Sequence, residues 1–129
     1  MRYYLATTLP GTFDEVTDRT RQALKDEGFG IISEIDIQAT LREKIGIEFR
    51  RYTILGACNP ILAHEALQIE DKVGTMLPCN VVVQEVADGI EFAANDPVAS
   101  MQGIENPTLS AKAAIVAEKL NRVIAALAA

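Results

Sequence analysis

The sequence predicts an α+β two-layer sandwich: a mostly antiparallel or mixed sheet of about five strands, with two long helices on one face. Three observations lead there. Strand-like and helix-like patterns alternate in the order β-α-β-α-β-α-β-β-α. The stretch "GIISEIDI" alternates apolar and polar residues, unlike the near-continuous apolar strands of a doubly wound parallel sheet. Near the C-terminus Leu109, Ala113, Val116, Leu120, Val123 and Leu127 are spaced 4, 3, 4, 3, 4, the mark of a long amphipathic helix. The chain of 129 residues falls within the usual size of one domain, so 1–129 is expected to form a single domain.

The elements follow in order. Tyr3 to Thr8 reads as a short strand, broken by Pro10-Gly11. Thr12 or Asp14 can cap a helix in which Val16, Thr20, Ala23 and Leu24 recur at helical spacing, and Gly28 stops it. In the next strand Ile31, Ile35 and Ile37 are expected on one pleat face, Glu34 and Asp36 on the other. Asp36 is a plausible cap for a short helix with the stripe Ile37, Leu41, Ile45 and a stop at Gly46. Phe49 to Ala57 is a strand, and Pro60 to Ile69 a helix with Pro60 at its first position, where a missing N–H costs nothing. A loop leads to the Val-rich strand Asn80 to Val86, and Asp88-Gly89 turns it into Ile90 to Ala94 as a hairpin. After a long connection with one helical turn past Pro97, Asn106 or Thr108 starts the last helix. Its stripe suits packing on the sheet; the sharper alternative is a two-helix seam in a dimer.

Charge narrows the function classes. Twelve Lys and Arg against 18 Asp and Glu leave a net charge of −6. That argues against nucleic acid, whose binding rests on Lys and Arg neutralising phosphates. Arg42, Lys44, Arg50 and Arg51 are interleaved with Glu43 and Glu48 and read as a solvated face. "MRYYLATTLP" lacks the apolar core of a signal peptide. No stretch approaches the roughly 20 apolar residues of a membrane span. The expectation is a soluble, cytoplasmic protein without a membrane partner, whose two cysteines are reduced at rest.

Those cysteines carry the chemistry. Cys58 stands directly before Asn59-Pro60, where a strand ends and a helix begins. A thiol there lies near unpaired N–H groups and the positive end of the helix dipole, which favours thiolate. Asn59 can cap the same helix. The simpler reading is a tight turn in which Cys serves as a small hydrophobe. Cys79 follows Pro78 at the start of a strand. If the strands of Cys58 and Cys79 pair antiparallel, the two lie at the same sheet end; if parallel, at opposite ends. His64, the one histidine, lies about a turn into the helix and reads as surface structure, or else as a general acid/base or third metal ligand. Its spacing to the cysteines matches no zinc signature, so no metal is expected. Met76 and Met101 read as isolated gap-fillers. There is no Gly-rich phosphate loop, G-x-S-x-G elbow or H-E-x-x-H.

Two phrases, "YTILGACNPILAHEAL" and "GTMLPCNVVVQE", resemble the signature of an uncharacterised prokaryotic family called domain of unknown function three hundred and two, whose structures have the TT-type-like α+β fold. The likeness spans nearly the whole chain. It implies a two-layer domain that is commonly a homodimer, with no established activity and no cofactor. It picks out Cys58, Asn59, Pro60, Ala63, His64, Leu67, Pro78 and Cys79. The expected function is a thiol-centred binding or redox site on Cys58 and Cys79, with His64 assisting and Asn59, Pro60 and Asn80 as ligand-binding candidates. The alternative is a non-catalytic small-molecule binding module, or a dimeric interaction protein, in which the cysteines are structural.

Overall fold

A computed structural model describes residues 2–129. Strands β1 (Tyr4–Leu9), β2 (Gly30–Asp36), β3 (Tyr52–Cys58), β4 (Cys79–Val86) and β5 (Gly89–Asn95) form one sheet in the order β1-β5-β4-β3-β2. Every neighbouring pair is antiparallel. Helices α1 (Phe13–Asp26), α2 (Ile37–Ile45), α3 (Pro60–Ile69), α4 (Pro97–Ser100) and α5 (Pro107–Ala128) complete the fold, with a 3₁₀ segment at Asp71–Met76. The predicted α+β sandwich is therefore the fold, and its sheet is wholly antiparallel.

Local chemistry explains where the helices begin. Thr12 Oγ1 accepts from the Glu15 N–H at 3.2 Å, Asp36 Oδ1 from Ala39 at 2.9 Å, and Asn59 Oδ1 from Leu62 at 3.2 Å. Asn106 Oδ1 accepts from both Thr108 and Leu109, at 3.0 and 3.2 Å. Each cap satisfies a first-turn N–H that has no partner inside its helix. Helix α2 ends on Gly46, whose φ of 67° is a left-handed cap that glycine adopts without a Cβ clash.

One sheet face is dry. Leu55, Val81, Val83 and Phe92 point from it and are fully buried, against Val16 and Leu24 of α1 and Leu120 and Val123 of α5. A second cluster joins Ala66 of α3, Val73, Met101, and Leu109 and Ala113 of α5. The predicted α5 stripe is thus consumed inside the chain, its first half in one cluster and its second half in the other.

The expectation for β2 needs correction. The register to β3 shifts between Ile31 and Ser33. This extra residue breaks the two-residue period, so residues after it change faces. Ile31 opposes Ala57 and packs on the dry core, whereas Ile35 opposes Ile54 and is 46% exposed. Glu34 and Asp36 do share a face, but it is the helix side of the sheet edge. There Glu34 pairs with Arg21 of α1, and Asp36 caps α2. The stripe of α2 is real but shallow, with no residue of that helix fully buried.

The candidate basic patch is likewise spent on local partners. Arg51 pairs with Asp14 at 2.9 Å and lies over the Phe13 ring, Arg50 donates to Gln84 at 2.9 Å, and Arg42 reaches Glu48 at 3.4 Å. Among the described residues, no helix is long and apolar enough to cross a membrane.

Candidate functional site

The antiparallel pairing of β3 and β4 answers the question the cysteines pose. Ala57 opposes Cys79, so Cys58 and Cys79 lie at the same end of the sheet on adjacent strands. Strand alternation alone would send residues 58 and 79 to opposite faces. Cys58, however, is the last residue of β3, and the chain leaves the sheet at the Asn59 cap. Both cysteines line one cavity, and both are free thiols.

The cavity sits where the two apolar clusters meet. Its walls are the start of α3 (Asn59, Leu62, Ala63), the approach to β4 (Met76 to Pro78), Met101 beyond α4, and the first half of α5. Phe29 and Ala57 belong to one flanking cluster, Leu109 and Ala113 to the other. Gly56 keeps the strands close here, since a Cβ would lie 2.9 Å from Pro78 Cγ and collide with Ser33. The space for water-sized molecules is about 50 Å³, within a hollow of about 570 Å³ that includes the mouth. This holds a few waters or an ion and is well below the roughly 300–1,000 Å³ of a pocket for organic ligands.

Few polar groups reach it. Asn95, at the end of β5, donates to Ser100 Oγ at 3.2 Å while its Oδ1 is buried without a partner. Lys112 of α5 lines the cavity and pairs with Glu65 of α3. Burial pushes the Cys79 thiol up from the ordinary 9.0 to about 11, and the charge of nearby Cys58 adds to the effect. At neutral pH Cys79 is therefore a neutral thiol and a poor nucleophile. Cys58, only half-buried, is the more accessible of the two.

The other candidates are not gathered here. His64 is exposed on α3, 3.4 Å from Gln68, and is not part of the cavity. Pro60 is exposed at the first turn of α3, and Asn80 faces a groove on the open side of the sheet with Tyr52 and Gln84. Of the polar candidates only Asn59 joins the cysteines. Among the described residues, no three His, Cys, Asp or Glu are grouped to hold a metal ion. The cavity also contains Met76 and Met101, which the sequence suggests as isolated gap-fillers, and Asn95 and Lys112, which it does not single out. Met76 stands three residues before Cys79 and was locally visible; the others arrive only through tertiary folding.

Fold and cavity together define a small antiparallel α+β sandwich that carries a cysteine pair at the junction of its two apolar clusters. The sequence pattern of the family described as "Domain of unknown function DUF302" matches residues 5–127, and the chain belongs to that family. Among solved structures it is similar to the "uncharacterized conserved protein DUF302 from Bacillus stearothermophilus", at 27% identity and a TM-score of 0.88, covering 98% of this chain and 97% of that one. No curated protein matches the chain.

Proposed function

We propose that this protein is a thiol-centred binding or redox protein whose working groups are Cys58 and Cys79. One observation carries the reading: two free thiols from adjacent antiparallel strands line the same small, mostly apolar cavity. Cys58 is the reachable group. Cys79 is its deeper, protonated partner. Asn59 holds the turn on which Cys58 sits. In the redox version a low-molecular-weight disulfide is the oxidant. It takes two electrons from the two thiols, one protein S–S bond forms as the reagent's S–S bond breaks, and both protons end on the two released thiols.

The alternative of an organic ligand in this cavity is disfavoured by its volume. The reading places the protein in the cytoplasm, which keeps both thiols reduced. It also takes the working form to be the homodimer that the family resemblance implies, which light scattering after gel filtration tests.

The deciding measurement is alkylation of the folded protein by iodoacetamide, followed by intact mass. One fast modification is expected in the natural protein and in Cys79→Ser, and its loss in Cys58→Ser, with circular dichroism unchanged. Thiols that react only in denaturant would make the cysteines packing residues and overturn the proposal.

A further inference from the structure

The chain contains two cysteines and three methionines. Among the described residues, every cysteine and methionine lines the same cavity. Cys58 and Met76 are half-buried; Cys79 and Met101 are buried. Met76 and Cys79 are three residues apart, but Cys58 at the end of β3 and Met101 after α4 come from distant parts of the chain, so chain proximity alone does not bring the four to one cavity. Packing alone asks only for apolar volume, which Leu or Ile would supply with better-defined rotamers.

Two thiols and two thioethers form a donor set with one chemical preference. Soft sulfur ligands select soft ions, above all Cu(I), while zinc prefers Cys and His, and calcium or magnesium prefer oxygen. A borderline ion would find no third His, Cys, Asp or Glu within this group. A monovalent ion between two thiolates leaves one negative charge; Lys112 lines the same cavity, with its ammonium already paired to Glu65. The space of about 50 Å³ for water-sized molecules suits an ion with a water molecule rather than an organic ligand.

We propose that the cavity is a binding site for a soft monovalent ion of the cuprous class, held by the thiolates of Cys58 and Cys79 with thioether contacts from Met76 and Met101. The proposal rests on the thiol-site reading and adds the class of ligand. On binding, two S–H bonds are lost, two metal–sulfur bonds form and two protons leave to solvent. The oxidation state of the ion does not change.

The test titrates the reduced full chain, without oxygen, with Cu(I) in competition with a chromophoric cuprous chelator, and with Ag(I) as a redox-inert probe. One equivalent should bind, with a metal–thiolate absorption band, and should protect both thiols from iodoacetamide. Cys58→Ser and Cys79→Ser should each weaken binding by ~100-fold or more, and the near-isosteric Met76→Leu and Met101→Leu by about tenfold each, with folding retained. Zn(II) should bind far more weakly than Cu(I). Full affinity in both Met variants, or Zn(II) binding as tight as Cu(I), would overturn the proposal. A metal-free protein whose Cys58 is alkylated while folded, but which neither Cu(I) nor Ag(I) protects, would overturn the metal site and leave the thiol site standing. Thiols inert until denaturation would remove both.

Discussion

The depth of Cys79 makes alkaline stability a direct readout of the cavity. Its thiol titrates at about 11 in the folded protein against 9.0 for the ordinary group. Below about pH 9 both states hold the proton, and the buried thiol adds no pH dependence. Between those values the unfolded chain loses the proton and the folded chain keeps it. Unfolding is then favoured increasingly, so stability is lost as pH rises through this window. One pH step of pKa difference is worth about 1.36 kcal/mol, so the full effect is about 2–3 kcal/mol, complete above pH ~11.

The assay is urea unfolding in a reducing buffer at pH steps from 8 to 11.5, for the natural chain and for Cys79→Ala. The substitution carries its own constant packing cost, so only the difference in slope matters. Lysines and tyrosines remote from the cavity contribute alike to both proteins and cancel. Cys58 and Lys112 share the cavity with Cys79, so the pair of curves is repeated in Cys58→Ser and in Lys112→Met. A difference between natural chain and variant that stays flat across the window, in all three backgrounds, would refute the burial of a protonated thiol.

Other substitutions test the parts that build the site. Gly56→Ala is expected to lose about 1–3 kcal/mol in chemical denaturation, because the new Cβ meets Pro78 and Ser33 in the closely paired strands. Asn59→Ala removes the side-chain cap on the Leu62 N–H and is expected to cost about 1 kcal/mol while lowering the helical circular dichroism only slightly. Leu120→Ala, in the fully buried heart of the main core, is expected to cost about 2–5 kcal/mol by the same assay. The bulge in β2 predicts an asymmetry: Ile31→Thr should cost about 1–2 kcal/mol, and Ile35→Thr should stay within about 0.5 kcal/mol. Equal costs for the two would mean that both isoleucines share a face after all.

How much of this fold could be read in advance depended on the range of the forces involved. Caps and stops are local. Thr12, Asp36, Asn59 and Asn106 announce themselves by side chains that satisfy N–H groups two or three residues away. The α5 stripe was legible because a 3.6-residue period persists over its 22 residues. The face assignment in β2 was not, because a single skipped residue inverts everything after it. Nothing in "GIISEIDI" marks Ile32 as the point of inversion; it follows from the pairing with β3. The same limit applied to strand direction, which is a property of the whole sheet.

Strand direction in turn decided what could be known of the site. Each cysteine phrase could be recognised as a special turn, but whether the two belonged to one place hung on the antiparallel pairing of β3 with β4. His64 illustrates the opposite failure. It lies only six residues from Cys58, yet the helix between them carries it to the exposed side of α3. Met101 is 43 residues from Cys58 in the chain and lines the same cavity, because the hairpin and α4 bring it back over the sheet end. Nearness along the chain favoured the histidine; nearness in space favours the thioethers. That exchange changes the chemistry. A thiol pair with a histidine points to proton transfer or zinc, whereas a thiol pair with two thioethers in a small, mostly apolar cavity points to a soft ion. The replacement of an imidazole by two methionine residues is the feature on which the proposed ligand class rests.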